Sequence, residues 1–169
     1  MTRHPSTLAG EIKKRRAFDL PQEEAYLNLL RTVSVLVEPF ERLLKTHRIS
    51  EPKYNVLRIL RGAGGDGLPS LEIGVRMIQR LPDVTRIVDR LESDGFVRRA
   101  RTTADRRVVM VQITSKGLDL LKRLDRPVNE LHRSQFANFS QRELIELNRL
   151  LVKARAGHDN ETELNDSTR

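Results

Sequence analysis

The sequence predicts a mainly α-helical fold carrying one small β-hairpin, and three observations lead there. Apolar residues recur every three or four positions along most of residues 22 to 156, the spacing of amphipathic helices. From Phe96 to Ile113 the period shortens to two, the spacing of strands. Punctuation lies between these runs: Ser50, Ser70 and Ser140 as caps, and Asp94-Gly95 as a stop.

Taken in order, residues 1 to 20 are polar and basic, with Lys13-Lys14-Arg15-Arg16 the densest charge run, and are expected to form a flexible arm. The plainer reading is a solvated tail; the sharper one is contact with the polyanionic partner argued below. Residues 22 to 47 carry Leu29, Leu30, Val33, Leu36, Val37, Phe40, Leu43 and Leu44, an apolar band wide enough to touch more than one neighbour. They predict a long helix, kinked near Val35 because Pro39 removes a backbone donor. Ser50 is expected to cap a second helix, Glu51 to about Arg61, with Tyr54, Leu57 and Leu60 inward. The stretch Gly62-Ala63-Gly64-Gly65-Asp66-Gly67 lacks the preceding strand and following lysine of a phosphate-cradling loop. It reads as a flexible connector ending in Leu68-Pro69. Ser70 is expected to cap a third helix, Leu71 to about Gln79. Leu81, Val84, Ile87, Val88 and Leu91 mark the inner stripe of the next helix, which Asp94-Gly95 ends. Residues 96 to 101 and 108 to 113 pair as strands around the polar tip 102 to 107. Thr114-Ser115-Lys116-Gly117 opens a long helix with Leu118, Leu121, Leu124, Val128 and Leu131 on one face and a bend at Pro127. Ser140 with Glu143 forms a capping box for a last helix bearing Leu144, Leu147, Leu150 and Leu151. Residues 157 to 169 are polar and read as a disordered tail.

At 169 residues the chain suits one domain of ordinary size. A formal charge of +8 points to an acidic partner, with nucleic acid ahead of an anionic membrane surface. No apolar run approaches a bilayer span and the N-terminus lacks a signal-peptide core, so a cytoplasmic location is expected. The absence of cysteine excludes disulfides, thiolate metal sites and thiol redox sensing. His4, His47, His132 and His158 are scattered without metal-binding or catalytic spacing, so neither an enzyme nor a metal or other cofactor is expected. Few aromatics and no tryptophan argue against binding single strands by base stacking.

The helix before the hairpin turns Pro82, Arg86, Asp89 and Ser93 away from its apolar stripe, with Thr85 and Arg90 on the flanks. A face of arginine, threonine and aspartate beside a hairpin tipped with arginines suits duplex DNA. Arg86 is the expected base reader, because a guanidinium pairs bidentately with guanine O6 and N7. Thr85 and Asp83 follow, through a thymine methyl or cytosine N4, and Pro82 through methyl contact. Arg90 is placed to reach phosphate, while Asp89 repels phosphate and is expected to hold the arginines. Arg98, Arg99 and Arg101 are expected at phosphates, or as braces within the sheet. An ordinary solvated face with charge pairs is the competing reading.

The run VTRIVDRLESDGFVRR, then DRR at the hairpin tip and ITSKG at the next helix, resembles the MarR family of bacterial winged helix-turn-helix transcription regulators. The resemblance covers roughly residues 22 to 156. Gly74, where alanine is usual, and the turn Gln79-Arg80-Leu81-Pro82 depart from the commonest pattern. It implies a winged DNA-binding domain, residues 50 to 114, flanked by dimerisation helices at 21 to 49 and 115 to 156. The surplus apolar surface of those helices independently calls for a two-fold partner. The resemblance also implies a D-x-R wing in which Asp105 orients Arg107 into the minor groove, with Arg106 the alternative. A small aromatic or anionic effector is implied as well, with Tyr26, Phe40, His47, Tyr54 and Met77 as pocket candidates or as plain core packing. The expected function is a ligand-responsive repressor that binds a pseudo-palindromic duplex as a homodimer. A sequence-tolerant architectural DNA-binding protein is the alternative.

Overall fold

The computed structural model describes residues 8–79, 83–101 and 109–156. In chain order the elements are α1 (Leu8–Glu11), α2 (Pro21–Thr46), α3 (Glu51–Ala63), β1 (Leu68–Pro69), α4 (Ser70–Arg76), α5 (Val84–Ser93), β2 (Val97–Arg101), β3 (Val109–Ile113), α6 (Ser115–Gln135) and α7 (Gln141–Ala156). They form two compact units, one ending at Leu131 and one beginning at His132.

The first unit is built around one core. Leu57 and Leu60 of α3, Ile73 of α4, Val88 and Leu91 of α5, Val111 of β3, and Leu121 and Leu124 of α6 are fully buried together. Each such side chain contributes about 1.5–3 kcal/mol on leaving water. Leu44 and Ile49, from α2 and the turn after it, complete the cluster. Because α6 contributes Leu120, Leu121, Leu124 and Val128 to this core, no break between cores falls at residue 114. Arg61 ties α3 to α6 by two 2.8 Å hydrogen bonds to Asp125, and that hydrogen bonding holds the Asp125 carboxyl below its usual range.

Several local expectations need correction. The connector after α3 ends in a strand: Leu68 pairs with Val111 and Pro69 with Met110, so the hairpin becomes a three-stranded antiparallel sheet of order β1-β3-β2. Gly67 makes this possible at φ +73, since a Cβ there would lie 2.2 Å from the Val111 carbonyl oxygen. Pro69, extended at ψ 150, takes the N-cap position of α4, so Ser70 is its first residue and not its cap. The same helix stops at Arg76, three residues early, where Met77 turns extended and the Ile78 N–H donates to Asn55 Oδ1 at 3.0 Å. Ser50 precedes α3 but its hydroxyl makes no capping bond; Pro52, at the second helical position, removes one of the two N–H groups such a cap can take. Part of the expected flexible arm is structured: α1 buries Leu8, and Glu11 pairs with Arg31 of α2 at 2.7 Å.

Other signals hold. Gly95 at φ +74 ends α5, with the Phe96 N–H returning to the Leu91 carbonyl at 2.9 Å. The Thr114 hydroxyl accepts the Gly117 N–H at 3.2 Å, and Gly117 slides under the Phe96 carbonyl, where a Cβ would sit at 2.5 Å. In the second unit, Ser140 and Glu143 form a reciprocal capping box, the Ser140 N–H donating to Glu143 Oε2 at 2.8 Å and the Glu143 N–H to Ser140 Oγ at 3.3 Å.

Candidate nucleic-acid interface

The geometry of α5 follows from its apolar stripe. Val88 and Leu91 are fully buried, and Val84 and Ile87 pack half-buried against the same core. Rotation is then fixed, and Thr85, Arg86, Asp89 and Arg90 are turned to solvent. Asp83 occupies the N-cap, one carboxylate oxygen accepting the Arg86 N–H at 3.0 Å and the other lying 3.4 Å from Arg86 Nε. This satisfies one of the unpaired donors at the helix start and steers the guanidinium. The Asp83 carboxylate is therefore committed to Arg86, whose own side chain stays 75% exposed. Pro82 lies outside the described residues.

At the wing the three β2 arginines do different things. Arg98 faces its register partner Gln112 on β3 and donates to its Oε1 at 3.0 Å. Arg99 turns back to α5, where Nη2 meets Asp89 and Nη1 meets Glu92. Burial works against its charge, but the hydrogen bonds it donates to Asp89 and Glu92 outweigh that and hold the guanidinium above the usual arginine value. Arg101 is exposed at the strand end. Asp105, Arg106 and Arg107, the expected D-x-R tip, lie outside the described residues. Sequence reasoning assigned Asp89 to hold arginines but did not find the partner, because residues ten apart give no periodic signal.

None of the five candidate pocket residues lines the cleft beside α2. Tyr54 and Met77 are core residues, and Phe40 stacks edge-on against Tyr54 at 5.7 Å. Tyr26 is exposed, and His47 caps α2 beside the Thr46 hydroxyl. That cleft, about 730 Å3, is walled by Leu30, Val33 and Val37 of α2 with Ile49 and Pro52. Glu38, Glu41, Lys45, Arg48 and Glu51 are its charged lining residues. Burial, and then Glu41, pushes the Glu51 carboxyl up. Arg48 closes α2 at φ +56, a conformation usual for glycine.

The helices α3 to α5 with the three-stranded sheet form a winged helix-turn-helix. The MarR family model matches residues 49–109. The HTH-type transcriptional repressor IacR of Pseudomonas putida is 35% identical over 111 residues, covering 66% of this chain and 65% of that one. A crystal structure of a MarR transcription factor from Planctomyces limnophilus is 40% identical, covers 80% of this chain and 98% of its own, and superposes with a TM-score of 0.60. Sco3205 of Streptomyces coelicolor, a MarR family regulator crystallised in complex with DNA, shares the fold at a TM-score of 0.73 with 20% identity, over 86% of this chain and 94% of that one. The chain belongs to the MarR family.

Proposed function

We infer that the chain is a sequence-specific repressor that binds a pseudo-palindromic operator as a homodimer. The observation that carries this reading is the outward face of α5, with Thr85, Arg86 and Arg90 on a helix fixed by its buried stripe. IacR, a repressor by name, and Sco3205, crystallised with DNA, support it. The segment 50 to 114 supplies the DNA face, and the helices at 21 to 49 and 115 to 156 pair with the second copy. A two-fold axis then sets two α5 helices into successive major grooves, with half-sites about 10 base pairs apart or a simple multiple. Arg86 reads guanine, Thr85 touches a thymine methyl, Arg90 and Arg101 reach phosphates, and Arg107 or Arg106 enters the minor groove beside Asp105. The protein acts by occlusion in the cytoplasm and carries out no catalysis; no described helix is long and apolar enough to cross a membrane.

The cleft beside α2 is the proposed effector site. Its apolar wall suits an aromatic ring, and Lys45 and Arg48, set among Glu38, Glu41 and Glu51, offer partners for an anionic group. An effector bound there acts by its differential affinity for the DNA-competent arrangement. Release of the duplex by phenolic acids tests this, and no release by any of them removes the effector from the proposal.

Selection of duplexes from a random pool at about 150 mM salt is the direct test, with an enriched palindrome bound roughly 10³-fold more tightly than a scrambled duplex. Uniform, salt-sensitive binding to every duplex would instead make the protein architectural. On the selected duplex, Arg86→Ala should cost about 1–3 kcal/mol and relax preference at one base pair. Unchanged preference would displace Arg86 from the base-reading role.

A further inference from the structure

Asp89 and Glu92 lie three residues apart on α5, so their carboxylates share one flank of the helix. Arg99 of β2 spans both, Nη2 donating to Asp89 Oδ1 and Nη1 to Glu92 Oε2, each at 2.5 Å. The other Glu92 oxygen accepts the Arg99 backbone N–H at 2.8 Å. β2 is an edge strand, and this N–H points away from its partner β3. Glu92 therefore takes up a donor that no described strand receives, and three hydrogen bonds join α5 to the outer edge of the wing.

We propose that Arg99 is a positioning residue that locks α5 to the wing in one relative orientation, and that it does not itself neutralise a DNA phosphate. The inference rests on reading α5 as the DNA-reading helix. Two physical arguments separate Arg99 from the exposed arginines. Its side chain is 27% exposed, against 75% for Arg86. Swinging out to a phosphate would also leave Asp89 and Glu92, two adjacent like charges, uncompensated beside a polyanion, and the energy of one phosphate contact has to cover both losses. A rigid helix-to-wing angle lets base contacts and wing contacts form together; a hinge there would let either form without the other. Sequence preference, which needs both in register, is what the clamp protects.

Arg99→Lys is the informative variant, measured in the full-length protein on the selected duplex and on a scrambled one. Lysine keeps the charge and is a competent phosphate ligand, but one ammonium cannot reproduce a fork held between two carboxylates. A clamp therefore predicts at least an about tenfold loss of affinity for the selected duplex, an unchanged affinity for the scrambled one, and an unchanged dependence of log affinity on log salt. A phosphate contact predicts that lysine is nearly neutral, while Arg99→Gln weakens both duplexes alike and flattens the salt slope by about one unit; that result overturns the proposal. Glu92→Ala separates the readings by sign. Losing the clamp lowers affinity for the selected duplex, whereas freeing a phosphate-binding Arg99 raises affinity for both, and a rise or no change sinks the clamp. Failure of the repressor reading is a different event, visible as a wild-type protein with no preferred duplex. In that case the clamp is still decided without DNA: exchange of the Arg99 amide should quicken about tenfold or more in Glu92→Ala, and an unchanged rate refutes it.

Discussion

A chain carrying Leu30→Glu together with Val33→Glu should run as a monomer and lose about 10³-fold in affinity for its operator. The reason lies in one stripe of α2. At about 100° per residue, Tyr26, Leu29, Leu30, Val33, Val37, Phe40 and Leu44 fall within roughly 100° of one another around the helix. Its C-terminal end is covered by the protein's own core, where Leu44 is fully buried and Phe40 packs against the cluster. Its N-terminal end is bare, with Tyr26, Leu29, Leu30 and Val33 between 42% and 61% exposed. A monomer has no use for four large apolar side chains in water on a face already committed to packing. A second copy covers them across a two-fold axis, each side chain gaining up to about 1.5–3 kcal/mol from burial. Glutamate is a good helix former, so the substitutions should leave the protomer folded while placing four new like charges at the dimer contact. Losing the second half-site removes the effective-concentration gain, on the order of 10²–10⁴-fold, that linkage provides. Val35→Glu is the control, because Val35 is 61% exposed on the opposite side of the helix and its substitution should change neither mass nor affinity. Sedimentation and duplex titration of the two variants give the answer. A double variant that remains dimeric and binds normally would remove this face of α2 from the interface.

What the sequence made legible was whatever repeats or punctuates. The stripe Val84, Ile87, Val88 and Leu91 sets the rotation of α5, and with it the exposed set Thr85, Arg86, Asp89 and Arg90. The stop at Gly95 and the capping box at Ser140 and Glu143 act through neighbours three or four residues away, within reach of pattern reading. β1 was hidden because two residues cannot show a period, and a glycine-rich lead-in favours a connector unless its distant partner is known. Ser70 misled for a related reason: the cap position is decided by backbone geometry, and Pro69, already extended for its pairing with Met110, claims it. The Arg99 clamp joins residues seven and ten positions apart across a helix-to-strand turn, a geometry no local pattern encodes. Pocket residues leave no periodic signal. Tyr54 and Met77 lie in the core and His47 at a helix end, positions that residue chemistry alone does not reveal. The observed cleft is walled by ordinary valines and leucine of the same α2 stripe that signals a dimer.

Gly67→Ala should lower the stability of the protein by about 3 kcal/mol, among the larger effects open to a single methyl group. Two costs combine. At φ +73 the backbone lies where an L side chain is strained, an expense of roughly 1–2 kcal/mol. The added Cβ would also stand 2.2 Å from the Val111 carbonyl oxygen and 2.9 Å from its carbon, both main-chain atoms that no rotamer change can move aside. Relief requires the chain to back away from β3 at the residue preceding Leu68, whose partner is Val111 itself. The third strand should therefore detach, leaving β3 with β2 alone. Gly62→Ala is the matching control in the same glycine-rich stretch. Gly62 lies within α3, and a methyl group added there would meet nothing within 4 Å, so alanine should raise stability by about 0.5–1 kcal/mol. Denaturant midpoints of the two variants at equal protein concentration test the contrast. A Gly67→Ala chain as stable as the native one would mean that residues 64 to 67 relax freely, as a connector would, and that the pairing of Leu68 with Val111 contributes little to holding the wing.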